Sequence, residues 1–459
     1  MKKFTVTPRI FNQREVIIGK QGVTSSEWVY LGRLGESGPL IRINYDLSQE
    51  HVIAIFGKRG SGKSYTLGSF LEGLCTKEKE TSISKISKIR GCLLFDTLGI
   101  FQWFNIPLTQ HSYQKIIQQQ ISFHKGWDIK SEILDVQIWI PKGSRDETTP
   151  PDYKDFSINT SDFTASDWGY LLGLDIFQDR MGQLLNDTYV KVTIEGWSDG
   201  KKDYPPLKDY SVDDLLNCLS YDIELQTIYQ RETLRGVFQQ ISLYKRNPLF
   251  QQKGTELNEL LKPGYMSVLV MNKMSEELRL VVISALIRKI IESRIIASEA
   301  EKHMKIIPNL SEEEKRNLKN KILKSIPPSW IVLDEAQNIL PSERKTTATD
   351  VLVKLVREGR NFGLSFMFTT QQPSAIDPRI LAQVDTVIAH KLTVQSDIDY
   401  VRKNLKSNLP DEVKYGNTIL SFEELLRILD VGQSVVSDTE TFRCFILDTR
   451  PRVSVHGGF

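Results

Sequence analysis

Eight residues, Gly57-Lys58-Arg59-Gly60-Ser61-Gly62-Lys63-Ser64, match the pattern GxxxxGK[ST] at every position, and Tyr65 follows. That spacing serves phosphate chemistry. Glycines let the backbone wrap an anion with its N–H groups. A helix opening at Lys63 adds free N–H groups and the positive end of its dipole. Lys63 is placed to reach the β- and γ-phosphates of a nucleotide such as ATP, and Ser64 to hold Mg²⁺. A second set, Trp330-Ile331-Val332-Leu333-Asp334-Glu335, is an apolar run ending in two acids. In an open α/β sheet such a strand delivers its acid to the edge where ligands bind. Asp334 is then the Mg²⁺-holding acid, and Glu335 the general base that polarises water. A kinase needs no base for water, so the pair favours NTP hydrolysis. The alternative for Asp334 is an acidic N-cap of the next helix.

Two further groups are candidates. Gln371 follows the apolar run Leu364–Thr369 and precedes Gln372-Pro373. It either contacts the γ-phosphate or the lytic water, or satisfies backbone groups in the turn before Pro373. Arg357 and Arg360, in Arg357-Glu358-Gly359-Arg360-Asn361-Phe362-Gly363, are candidate catalytic fingers reaching into a neighbouring subunit's nucleotide. The alternatives are helix C-terminal capping and surface ion pairs. Arg379 is a third, weaker candidate.

These groups need a scaffold. Short apolar runs at His51–Phe56, Gly91–Asp96, Tyr265–Val270, Trp330–Asp334, Leu364–Thr369 and Thr386–Lys391 alternate with helical patterns. Fully apolar strands between helices predict an α/β fold with a parallel sheet covered on both faces. Residues 14–45 hold β-like runs between Gly-containing turns, the texture of a small barrel or meander. Residues 100–260 break the rhythm, with one strand-like run at Val136–Ile140 and helical patterns at Ser166–Glu195 and Val212–Leu243. A helix is expected over Glu276–Ser298. The Lys- and Glu-rich stretch 299–326 after it reads as a solvated hairpin or loop.

The chain has 459 residues, 40% hydrophobic and 25% charged, which allows two to four domains and excludes bulk disorder. Fifty-nine basic residues against 57 acidic ones exclude a histone-like mass binder of nucleic acid, though not a local basic patch. Lys85, Lys88 and Arg90 form one such cluster, and Arg231, Arg235, Lys245 and Arg246 another. For each residue a solvated face competes with phosphate contact. Four scattered cysteines give no zinc pattern and suit a reducing cytoplasm. The N-terminus lacks a signal-peptide core, and the apolar stretch Leu278–Ile296 carries Arg288, Lys289, Glu292 and Arg294. A cytoplasmic protein without a membrane partner is expected.

With these residues in view, the chain resembles the HerA branch of the HerA/FtsK ATPases. The resemblance lies in GKRGSGKSYTLG at 57–68, WIVLDEAQNIL at 330–340, REGRNFG at 357–363, TTQQPSAIDPRILAQVDTVIAHKLT at 369–393 and RPRVSVHGG at 450–458. It also covers 256–291, and is loose over 100–250. It implies a RecA-like P-loop core with ATP and Mg²⁺ between subunits of a homo-hexameric ring, Gln371 as the sensor glutamine, and double-stranded DNA as the polymer gripped or translocated. It further implies an organisation of 1–48 as an N-terminal HAS-barrel-like β region and 49–99 as the first part of the core. A mostly helical insertion over 100–260, the second core part over 261–448 and a tail over 449–459 that braces a neighbouring subunit complete it. Ile100 stands where relatives often carry Glu. No nuclease signature is visible, so a separate nuclease or other effector protein is implied, in DNA repair or antiphage defence. The competing reading is an ATP-dependent hexameric scaffold that activates an effector without translocation. A small-molecule kinase is disfavoured by the Asp334-Glu335 pair, the Gln371 position and the long insertion, and a non-hydrolysing NTP binder by the presence of Lys63, Ser64, Asp334 and Glu335 together.

Overall fold

The computed structural model describes residues 15–458, apart from 21–24, 36–39, 110–113, 405–411, 416–417 and 442. A fourteen-stranded sheet runs through the molecule. Thirteen of its strands form one row: β1 (Glu15–Ile18), β2 (Trp28–Leu34), β3 (Arg42–Asp46), β4 (Val52–Phe56), β5 (Gly91–Asp96), β6 (Val136–Pro141), β7 (Lys154–Phe156), β8 (Met266–Val270), β9 (Ser329–Leu333), β10 (Leu364–Thr370), β11 (Thr386–Ala389), β12 (Gln433–Asp438) and β13 (Arg443–Thr449). Their spatial order is β1-β3-β2-β13-β12-β11-β4-β10-β9-β5-β8-β6-β7, and Ser84–Lys85 pairs with β2 off this row.

From β11 to β7 every neighbouring pair is parallel. The central strands β4, β5, β8, β9 and β10 are buried along their whole length. Apolar side chains on both faces of a strand demand cover on both sides, which the crossover helices supply. On the other flank β11–β12–β13–β2–β3 is antiparallel. The three N-terminal strands therefore continue the central sheet through the β2–β13 pairing (Gly32 opposite Thr449). Among the described residues they do not close into a separate barrel. The edge of β13 accepts β2, so these strands extend the sheet.

The 100–260 region is likewise not wholly an insertion. Its strands β6 and β7 extend the parallel sheet beyond β8. The rest is mostly helical, with Lys115–Ser122, Ala165–Leu172, Arg180–Val190, Val212–Tyr221, Ile223–Ile228 and Arg231–Lys245, besides four two-residue strands. Thr164 caps the helix Ala165–Leu172, its hydroxyl accepting from the Asp167 N–H. Asp167 also bridges Arg288 at 2.6 Å and so ties these helices to the core.

Arg288 belongs to the long helix Glu276–Ile306, capped by Ser275 with Glu276 and Glu277 in its first turn. It runs eight residues past the expected end at Ser298. The extension carries few apolar residues and packs with Glu312–Lys324, a helix that buries no residue fully. Charge patterning marks both as solvated without showing where the helix stops. Among the described residues no helix is long and apolar enough to cross a membrane.

Candidate nucleotide site

The strand β4 ends at Phe56, and six residues separate it from the helix Lys63–Leu74. The loop between them is pinned at the upper sheet edge. Gly57 N–H donates to Thr370 O (3.3 Å), Lys58 N–H to Lys391 O (2.9 Å) and Gly432 N–H to Ser61 O (3.3 Å). Gly62, the N-cap, has φ 109°. Gly57 has φ 156°, and a Cβ there would lie 2.7 Å from that of His390. Both positions need glycine. Lys58 and Arg59 are exposed, Lys63 is buried, and Ser64 and Tyr65 are half-buried.

Lys63 is aimed at the acids. Its Nζ lies 3.7 Å from Glu335 Oε1, with both side chains 4% exposed. The Glu335 carboxylate is held from two more sides. Gln371 Nε2 donates to Oε1 at 2.8 Å, and Gln337 Nε2 to Oε2 at 2.7 Å. Glu335 itself sits at φ +55°, a conformation non-glycine residues rarely adopt. Such strain at an acid under a phosphate loop is the kind stored at functional sites.

Asp334 is fully buried. Its Oδ1 accepts from Thr369 Oγ1 at 2.7 Å, whereas Oδ2 has no hydrogen-bond partner among the described residues. Burial pushes its carboxyl up to about 7, opposed by the Thr369 bond and reinforced by the charges of Glu335 and Asp96. A buried carboxylate oxygen without a partner is costly unless a cation or water completes it. The N-cap alternative for Asp334 fails, because the turn after it starts from Glu335 and takes no cap bond from Asp334.

Asp96, at the end of β5, is also buried, and burial pushes it to about 6. It accepts the N–H groups of Gly99 (2.8 Å), Ile100 (3.1 Å) and Phe101 (2.8 Å). Ile100 thus contributes its backbone to this turn. His390 lies beneath the phosphate loop. Its Nδ1 pairs with Gln433 O at 2.8 Å, and its Nε2 has no partner among the described residues. Burial, with the Lys63 charge nearby, pushes it down to about 4, so it is neutral.

The phosphate loop, Lys63, Asp334, Glu335 and Gln371 therefore converge. The arginines do not join them within one chain. Arg357 is exposed. Arg360 pairs with Asp385, whose Oδ2 also accepts the Val52 N–H. Val52 starts β4, so Arg360 sits at the end of the sheet opposite the phosphate loop. Arg379 pairs with Asp377 at 2.7 Å and Asp350 at 3.3 Å. The basic cluster at 85–90 is neutralised: Lys85 by Glu80, Lys88 by Asp135 and Arg90 by Glu50. Lys245 pairs with Asp213, while Arg231, Arg235 and Arg246 are exposed.

The tail binds its own chain. Arg450 and Arg452 are fully buried and flank Glu72 of the phosphate-loop helix, at 2.9 and 3.1 Å. Glu72 also accepts the N–H groups of Val453 (3.0 Å) and Ser454 (2.9 Å) and the Ser454 hydroxyl (2.7 Å). Tyr65, beside Ser64, accepts the Arg452 N–H at 2.9 Å. Sequence reading missed Thr369, Gln337, Asp96, His390 and Glu72. Thr369, Gln337 and His390 lie inside quoted motifs and Asp96 ends a quoted strand run, but a motif does not show which side chains bond each other. Glu72 looks like an ordinary helix residue until the tail is seen against it.

Residues 29–290 match the family described as "Helicase HerA, central domain". The chain is similar to the DNA double-strand break repair helicase HerA of Pyrococcus furiosus, 23% identical over 386 residues, covering 82% of this chain and 63% of that protein. The HerA helicase of Sulfurisphaera tokodaii is 28% identical over 176 residues, 38% of this chain and 30% of that protein. The chain thus spans less than two thirds of either relative's length. Among solved structures, VirB4 of Thermoanaerobacter pseudethanolicus superposes with a TM-score of 0.50 at 12% identity, over 93% of this chain and 97% of that one. The plasmid coupling protein TrwB, in complex with ADP and Mg²⁺, also gives 0.50, at 10% identity, over 95% of this chain and 98% of that one. These two likenesses establish a P-loop NTPase fold. The family match takes in more than half of the chain, the phosphate loop included, and the chain accordingly belongs to the HerA helicase central-domain family.

Proposed function

We propose that this chain is an ATP hydrolase that works in a homo-oligomeric ring to grip or translocate double-stranded DNA. The carrying observation is the convergence of Lys63, Asp334, Glu335 and Gln371 under one phosphate loop, with a buried Asp334 oxygen left free. The residues fit ATP and Mg²⁺. Backbone N–H groups of 57–64 and the Lys63 ammonium would hold the phosphates. Ser64 and Asp334 would hold Mg²⁺, which supplies charge neutralisation at the β- and γ-phosphates when bound. Once phosphate takes Lys63, Glu335 loses its cationic partner. It can then accept a proton from water, still oriented by Gln371 and Gln337.

The DNA substrate follows the relatives' description as DNA double-strand break repair helicases, while the ring of six and the trans role of Arg357 or Arg360 rest on the resemblance to the HerA branch. A separate nuclease or other effector, in repair or defence, is part of the same reading.

The test is steady-state ATP hydrolysis with and without linear double-stranded DNA, with particle mass measured on the same sample. Stimulation by DNA in a hexamer-sized particle is expected. A hexamer whose hydrolysis ignores DNA favours the scaffold, and absent hydrolysis in wild type overturns the proposal.

A further inference from the structure

One hydroxyl touches both acids of the site. Thr369, near the end of β10, is fully buried. Its Oγ1 donates its single proton to Asp334 Oδ1 at 2.7 Å and accepts the Glu335 N–H at 3.0 Å. A threonine hydroxyl has one proton and two lone pairs, so the same atom can serve both bonds. Each bond has a separate effect. The first occupies Oδ1 and turns Asp334, so that Oδ2 is the oxygen left without a protein partner. The second fixes the amide between the two acids, which holds Glu335 in its left-handed conformation with φ +55°. That backbone twist is costly for a residue with a side chain and persists only where its surroundings enforce it. It lets successive residues of one chain face one site, where an extended strand would send them to opposite faces.

We propose that Thr369 is the positioning residue for both acids: it selects which Asp334 oxygen is left for Mg²⁺ and holds Glu335 toward Lys63. The proposal rests on the nucleotide reading above and adds a residue to it. Gln371, two positions on, acts at the Glu335 carboxylate instead. β10 thus serves the pair twice, once at the backbone and once at the head group.

The test compares Thr369→Val, near-isosteric but without the hydroxyl, with Thr369→Ser, which keeps it. Two readouts are needed on the full chain. One is binding of a fluorescent ATP analogue titrated with Mg²⁺. The other is kcat and KM for ATP. In Thr369→Val, analogue binding without Mg²⁺ should stay within about twofold of wild type, because the phosphate loop is untouched. The Mg²⁺ concentration for half-maximal effect should rise, and kcat fall, each by roughly 10- to 100-fold, the range for losing a hydrogen bond to a charged group. KM should move much less. Thr369→Ser should restore both. Wild-type Mg²⁺ dependence and kcat in Thr369→Val would overturn the proposal, as would equal damage from serine, which would assign the effect to packing. Should Thr369→Val not fold, Thr369→Cys, a weak donor of similar size, replaces it; activity equal to serine's then counts against the hydroxyl. A wild-type chain that binds no analogue refutes the nucleotide reading itself, which separates the two failures.

Discussion

Two buried ionic clusters lie at opposite ends of one helix. At its N-terminus, Lys63 faces Glu335, with Asp334 beside it holding an unpartnered oxygen. Near its C-terminus, Glu72 sits between Arg450 and Arg452 with both carboxylate oxygens bonded. The second is closed: Arg450 also donates to Tyr30 O and Ser69 O, and Arg452 to the Ser454 hydroxyl. The two guanidiniums outweigh burial and hold the Glu72 carboxyl below its usual range. Charges of this kind are affordable in a core only when fully paired. The first cluster is incomplete, so a ligand can finish it. The difference separates charge kept for structure from charge kept for chemistry.

Removing members of each cluster tests that separation. The largest effect is expected at the open one. Glu335→Gln should slow hydrolysis by about 10²- to 10⁴-fold, the range for a general base, with ATP still bound. Lys63→Ala should also abolish turnover, because the phosphate charge is left unpaired. Loss of ATP binding in Glu335→Gln would make Glu335 a structural residue and erase the contrast. At the closed cluster Glu72→Gln should cost about 3–5 kcal/mol in unfolding free energy, because two arginines remain buried without their anion. A denaturant midpoint unchanged from wild type would show that the cluster is not closed in solution.

A third test uses pH. His390 is held at about 4 by burial, below its ordinary 6.5. Its neutral form adds stability that is fully present above pH 6.5 and declines as pH falls through 4, by ~3 kcal/mol in all. His456, pushed to about 3, declines in an overlapping window. Thermal midpoints of His390→Asn should therefore fall less steeply than wild type between pH 6.5 and 4. Equal slopes would remove His390 as a buried neutral base. The smallest effect is expected at Arg360, whose pair with Asp385 is partly exposed. Arg360→Ala should change stability by less than ~1 kcal/mol. Any loss of hydrolysis should be rescued in mixed rings by a neighbour that supplies the arginine. Unrescued loss would assign Arg360 to its own chain.

Much of the open cluster was legible because its chemistry is local in sequence. Glycine spacing and a fully apolar strand ending in acids reflect backbone needs that each segment meets alone. The parallel core followed from the same apolar runs. What stayed hidden depends on distant pairings. Thr369 gains its role only when β10 lies beside β9. β1 to β3 read as a small barrel or meander because short strands between glycine turns say nothing of the partner waiting at β13. The end of the long helix at Ile306 was hidden by a solvated extension that has no apolar period to follow.

Glu72 and Arg450 are 378 residues apart along the chain. During synthesis the phosphate loop therefore emerges long before the arginines that brace its helix. Closing a loop of that length is a late event in folding, since contacts between remote segments form slowly. The helix that follows the phosphate loop is thus braced by charges that are made 378 residues later.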